Sequence, residues 1–309
     1  MKFVATLSTL VLLAATELVS ATPFNAYKRS RGTESTLFPV SGSPRWTTLV
    51  GASGSLTLSD STLRPHNILS RCPYTYENSP DGIKSLKAHY PKGSYKPSAD
   101  PCGGVSFYAP GPSSVNLATA KEALFSYSVY FPSGFEFVKG GKLPGLYGGD
   151  NDTTAVSCSG GRRDTTCWSA RLMWRADGAG EVYLYLPPYD DPRFTANQKL
   201  CTMPNSVCDS TYGISVNRGS YSFPAGQWTT VAQRVKLNDV GQANGEIELF
   251  VNGDSVISIS GIILSDSSAG RIRGMQVQSF FGGSSTDWAT PKDQDVYFAN
   301  LGASIISKF

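Results

Sequence analysis

Within residues 167–185 (CWSARLMWRADGAGEVYLY), a hydroxyl, a guanidinium and two phenols recur at two-residue spacing: Ser169 and Arg171, then Tyr183 and Tyr185. Side chains two apart on an extended strand share a face. Ser169, Arg171 and Met173 therefore lie on one side of the first run, with Ala170, Leu172 and Trp174 on the other. In the second run Tyr183 and Tyr185 alternate against Val182, Leu184 and Leu186. The intervening Asp177-Gly178-Ala179-Gly180 suits a hairpin turn, because glycine accepts positive φ. Opposed residues of a hairpin share a face. A register opposing Arg171 to Tyr183 or to Tyr185 collects all four groups on one surface, and a one-residue slip separates them.

Such a surface has the parts for β-elimination on a uronic-acid polymer. The C5 hydrogen of a uronate is weakly acidic, so the sugar carboxylate must be neutralised as enolate-like charge develops, work suited to Arg or Lys. A base must remove that proton and an acid must protonate the departing O4. A phenol, with a reference pKa of ~10, can do either where adjacent cations lower it. Lys142 is a second cation, in the glycine-rich stretch 139–149 (KGGKLPGLYGG), where a backbone could pass close to a ligand and Lys139 is a rival. Taken singly, Lys142 reads as a solvated lysine on a glycine-rich turn and each tyrosine as a packing aromatic. Two phenols opposite one arginine favour the chemical reading.

Other chemistries fit less well. The paired carboxylates of a glycosidase have only Glu246 and Glu248 to draw on, which read as the solvated face of one strand. A Ser-His-Asp hydrolase needs a histidine near its serine, yet His66 and His89 fall in early turn-rich segments and no GxSxG occurs. The GK[ST] ending of a P-loop is missing after the glycines. No metal-binding cluster and no cofactor motif stands out.

The elements that must position these groups are short strands. Residues 125–131, 227–235, 245–251, 255–259, 274–281 and 297–301 alternate or run apolar, and Asn252-Gly253 marks a type I′ hairpin. Helical periodicity is scarce across the 309 residues, which predicts an all-β sandwich. Leu56 and Leu58 indicate an early strand, residues 70–104 a polar, turn-rich segment, and residues 187–217, with Tyr189 and Arg193, a long loop beside the sheet that could wall a binding site.

The termini and cysteines bear on compartment. Residues 1–21 read as a secretory signal, 22–45 as a polar linker or pro-segment with a dibasic Lys28-Arg29, and 46–309 as one domain. The apolar core of the leader is too short for a membrane span. Six cysteines in a secreted chain predict disulfides, and spacing favours Cys72–Cys102, Cys158–Cys167 and Cys201–Cys208 among about 15 connectivities. Asn151-Asp152-Thr153 is a glycosylation sequon. A net charge of +3 with one short basic run gives no nucleic-acid footprint.

The hairpin and its surroundings resemble polysaccharide lyase family 14, most closely its secreted fungal members. The family pattern is a lysine on a preceding segment, a serine and arginine two apart, then two tyrosines two apart about a dozen residues on. Those positions are Lys142, Ser169, Arg171, Tyr183 and Tyr185. The likeness extends to Phe223-Pro224-Ala225-Gly226-Gln227-Trp228, the Asn252-Gly253 hairpin, and Phe280-Phe281-Gly282-Gly283 with Trp288, over roughly residues 100–305. It implies a β-jelly roll, a concanavalin-like sandwich of two antiparallel sheets, acting as a monomer on an anionic polysaccharide such as glucuronan or alginate without metal or cofactor. Arg171 with Lys142 would neutralise the carboxylate, Tyr183 or Tyr185 would act as base and acid, with the two roles undivided between them and one phenol able to serve both steps, and Ser169 would orient substrate. The R-x-E-[LV]-R and Q-[IV]-H strands of other jelly-roll alginate lyases are missing. The competing expectation is a non-catalytic sugar-binding sandwich, of which Asp150, Asn151 and Asp152 could be a calcium loop.

Overall fold

Where the sequence alternates it is extended, and where Gly, Asn or Asp accumulate it turns. The computed structural model describes residues 32–209 and 211–309. Its strands begin with β1 (Arg45–Thr47), β2 (Thr75–Asn78), β3 (Lys84–Tyr90), β4 (Val105–Ala109) and β5 (Ala120–Phe131). Next come β6 (Gly140–Gly149), β7 (Cys167–Arg175), β8 (Ala179–Tyr185), β9 (Ile214–Ser222) and β10 (Gln227–Lys236). β11 (Gly245–Val251), β12 (Asp254–Ile262), β13 (Arg271–Phe281) and β14 (Gln294–Lys308) complete the set. One sheet runs β12-β11-β10-β5-β14-β3-β2, with β1 also on β14, and the other runs β4-β13-β6-β7-β8-β9. The pairings between strands are antiparallel, giving the expected all-β jelly-roll sandwich.

The core lies between the sheets. Trp168, Leu172 and Trp174 of β7 and Leu184 of β8 join Phe125 and Phe131 of β5 in one buried cluster. The Trp174 ring meets Phe131 and Phe281 edge-on at 5.5 and 5.4 Å, and its indole N–H donates to the Phe137 carbonyl at 3.1 Å. Truncating a buried aromatic of this kind costs about 3–5 kcal/mol. With that face of β7 locked inward, Ser169, Arg171 and Met173 are committed to the other.

The glycine-rich stretch is a strand, not a loop. β6 lies between β13 and β7, and its glycines make room for neighbours: a Cβ on Gly141 would sit 2.1 Å from the Trp174 ring. The ladder shifts register between Leu143 and Leu146, where the Pro144 carbonyl accepts the Tyr127 hydroxyl at 3.1 Å. A bulge is where a central strand tolerates proline.

Two N-terminal segments differ from their sequence reading. Residues 32–45 do not form a free linker. The helix α1 (Glu34–Leu37) carries a capping box from Thr33, and Leu37 and Phe38 pack with Leu124, Ala232 and Phe250. One apolar pair in a polar stretch leaves no periodic signal, yet suffices to dock it. Residues 70–104 contain β2 and β3, where Leu86, Ala88 and Tyr90 are fully buried behind polar outward neighbours. Leu58 is buried outside any strand. The expected secretory signal of residues 1–21 and the dibasic Lys28-Arg29 lie outside the described residues. Disulfides join Cys72–Cys102, Cys158–Cys167 and Cys201–Cys208, as the spacing favoured.

Candidate active site

In the β7–β8 hairpin Arg171 opposes Tyr183 and Ser169 opposes Tyr185, one of the two registers that unite them. Lys142 of β6 opposes Met173 on one side and Phe280 of β13 on the other. Its Nζ stands 4.1 Å from the centre of the Tyr183 ring and 3.0 Å from Met173 Sδ. The Tyr183 and Tyr185 rings are 5.9 Å apart, edge to face, and the Arg171 guanidinium carbon is 5.7 Å from the Tyr185 ring centre. Lys142, Arg171, Tyr183 and Tyr185 thus converge on one cleft of about 610 Å³. Lys139, the rival, is exposed and paired with Asp287.

Arg171 is 1% exposed and, among the described residues, has no carboxylate partner. Its Nη1 donates to Gln278 Oε1 at 2.8 Å, and its Nε has no partner. An amide ladder on β13 holds Gln278 in turn: Gln276 Nε2 donates to the same Oε1 at 2.8 Å and to the Tyr108 hydroxyl at 3.1 Å. Burial lowers the guanidinium's pKa, against the opposing influence of Tyr185, Tyr108 and Tyr183.

Lys142 and Tyr183 are shifted in opposite directions. Removal from solvent pulls the Lys142 ammonium well below the ordinary lysine value, and repulsion from Arg171 and Arg175 adds to this. Burial raises the Tyr183 phenol above its usual value, with Tyr185 adding and Arg171 opposing. The expectation that adjacent cations would lower this phenol is therefore reversed: desolvation outweighs the guanidinium. Each phenol oxygen accepts a backbone amide, Gly213 N–H to Tyr183 at 3.1 Å and Gly161 N–H to Tyr185 at 2.9 Å.

Ser169 is corrected by the structure. It is 1% exposed, its hydroxyl donates to the Cys158 carbonyl at 2.7 Å, and it is absent from the cleft lining. It fastens the loop closed by Cys158–Cys167, the same loop whose Gly161 amide holds Tyr185. The wall from residues 187–217 is real but differently composed. Arg193 pairs with Asp191 and Asp266 at the surface, while Asp209, Tyr212 and Gly213 line the cleft. Arg273 occupies the Asp150–Asp152 run, 3.1 Å from Asp152 and bonded to the Asp150 carbonyl.

Sequence reasoning passed over Glu181, Arg175, Arg218 and Gln278. Glu181 was within reach, because it precedes Tyr183 by two residues and shares its face. Gln278 had no local signal, since it lies 107 residues from Arg171 in the chain.

Two cations free of carboxylates beside two phenols, on the face of a jelly-roll sheet, define a candidate lyase of acidic polysaccharides. Residues 78–301 match the family Polysaccharide lyase 14, and the chain belongs to that family. A marine alginate lyase of this family from Aplysia kurodai is 29% identical, with a TM-score of 0.73 over 86% of this chain and 100% of its own. The alginate lyase vAL-1 from Chlorella virus shares the fold at 24% identity and a TM-score of 0.62, over 80% of this chain and 93% of its own. Exolysin of Paramecium bursaria Chlorella virus 1 is 30% identical over 174 residues, 52% of this chain. The chain spans 26% of the length of that curated relative.

Proposed function

We propose that this protein cleaves a polyuronate, alginate or glucuronan, by β-elimination in the cleft between β6, β7 and β8. The observation that carries the reading is Arg171, a buried guanidinium without a carboxylate partner. An uncompensated buried charge costs several kcal/mol, and a uronate carboxylate seated on it would recover much of that. The same contact stabilises the charge that builds on the carboxylate as C5 loses its proton.

The two shifted groups divide the proton work. Lys142, with its ammonium pKa depressed, supplies a neutral amine that accepts the C5 proton. The electron pair forms the C4–C5 double bond and the C4–O4 bond breaks. Tyr183, whose pKa is raised, stays protonated and donates to O4. Tyr185 and Arg171 orient the carboxylate. This revises the sequence-based division, in which Lys142 helped to neutralise the carboxylate and the tyrosines shared both proton transfers. The family relative from Aplysia kurodai, described as an alginate lyase, supports the substrate class.

The test is incubation with polymannuronate, polyguluronate and glucuronan, read by the ultraviolet absorbance of the unsaturated uronyl product. Absorbance should rise on at least one polymer. Silence on all three would reject the lyase and leave a sugar-binding module. We also read residues 1–21 as an export signal, supported by the three disulfides, which form in oxidising compartments. Secreted protein that still began at Met1 would overturn that.

A further inference from the structure

Two pairs further along the hairpin from Arg171, and on the same face, Met173 opposes Glu181. Glu181 is fully buried, yet it holds two arginines. Its Oε1 accepts Arg175 Nη2 at 2.6 Å, and its Oε2 accepts Arg218 Nε at 2.9 Å and the Ser215 hydroxyl at 2.6 Å. Arg218 Nη2 also reaches Ser215 Oγ at 3.1 Å. One carboxylate against two guanidiniums leaves a net positive charge at the cleft surface. Arg218 is 40% exposed, and both arginines line the cleft with Trp288, whose ring centre is 5.9 Å from the Arg175 guanidinium carbon. Among the described residues, neither arginine's Nη1 has a hydrogen-bond partner.

We propose that Arg175 and Arg218, oriented by Glu181, form a second carboxylate-binding subsite, which takes another uronate of the polymer held at Arg171. The proposal rests on the polyuronate-lyase reading and deepens it. A purely structural ion pair needs one cation per buried acid, and the second guanidinium is surplus to that need. Arg171 and Arg175 are four residues apart on β7, about 13 Å at the usual strand rise of ~3.3 Å per residue. That span exceeds one pyranose ring, so the two cationic sites address different sugars. A planar guanidinium fork held by a buried acid suits a carboxylate better than a mobile lysine would. Glu181 is then a positioning residue and Arg218 a specificity determinant.

The experiment pairs affinity electrophoresis through gels containing polymannuronate, polyguluronate or glucuronan with steady-state kinetics on whichever polymer wild type cleaves. In R218A, retention should weaken and KM rise by about tenfold, as expected for loss of a charged hydrogen-bonding group. The effect should fall on KM rather than kcat, and shrink as salt screens the exposed charge. E181Q should move both readouts the same way, and R218K should restore part of the loss. R218A changes a half-exposed side chain and decides the matter by itself if E181Q fails to fold. Retention and KM equal to wild type in R218A would overturn the subsite while wild-type turnover kept the lyase reading. Weaker retention of R218A without turnover by wild type would support the subsite and remove the lyase.

Discussion

Replacing Lys142 with arginine separates two roles that a cation in this position could have. Arginine places a permanent positive charge over Tyr183 and cannot become a neutral base. The lysine sits where burial and the charges of Arg171 and Arg175 favour the neutral amine, 4.1 Å from the Tyr183 ring centre. If Lys142 takes the C5 proton, K142R should lower kcat by about 10²–10⁴-fold, the usual worth of a general base. That corresponds to about 2.7–5.4 kcal/mol of barrier at 1.36 kcal/mol per decade. KM should change less than kcat, because Arg171 still holds the carboxylate. Gly282 leaves limited room, since a Cβ there would lie 3.3 Å from Nζ, so K142M serves as a second variant without the larger head group and should lose kcat to a similar extent. Wild-type activity should rise with pH through the depressed Lys142 pKa, below the ordinary 10.5, and that limb should be missing from both variants. Decline at the alkaline end should come only where Tyr183 ionises, above its ordinary value of 10.0. The assay is the initial rate of ultraviolet absorbance on the preferred polyuronate across the neutral-to-alkaline range. K142R retaining more than about a tenth of wild-type kcat would refute the argument and return Lys142 to carboxylate neutralisation.

Tyr183→Phe removes the proposed proton donor but keeps the ring beneath Lys142, so kcat should drop about 10²–10⁴-fold with a small change in KM; near-normal kcat would pass the role to Tyr185. Arg171→Met should abolish turnover yet raise stability by about 1–3 kcal/mol, because it deletes a buried charge that has no counter-ion. Gln278 Oε1 keeps its bond from Gln276 in that variant, and a lowered melting temperature would show that the fold already compensates the charge. Removing Cys158 and Cys167 together, as serines, should cost up to roughly 2.7 kcal/mol, since the bridge spans 9 residues. Activity should fall as well, because the loop supplies the Gly161 amide to Tyr185; thermal melts and rates on the same sample check both, and unchanged rates would detach the loop from catalysis.

The limits of sequence reading follow from the range of the forces involved. Period-two alternation is a property of the extended backbone itself, so the faces of β7 and β8, the shared surface of Arg171, Tyr183 and Tyr185, and the all-β class were legible from residues 167–185 and their neighbours. Disulfide pairing by proximity was legible for the same reason, because short loops bring cysteines together whatever the remote fold does. Lys142 was recognised as a participant but misplaced on a loop, since a run of glycines has no strand signature until Trp174 is known to lie across it. Ser169 matched the pattern yet spends its hydroxyl on Cys158, a partner that only the closed loop provides.

Electrostatic sign was beyond the sequence altogether. Whether a phenol beside an arginine ionises easily depends on how much water the surrounding sheets exclude, and in Tyr183 burial wins over Arg171. The pairing of Glu181 with Arg175 and Arg218, and of Arg171 with Gln278, joins strands distant in the chain. The sequence by itself determined which groups share a face. Tertiary structure decided which of them are dry, which are already partnered, and which charges wait for a substrate, because desolvation and counter-ions are set by segments that meet only in the folded sandwich.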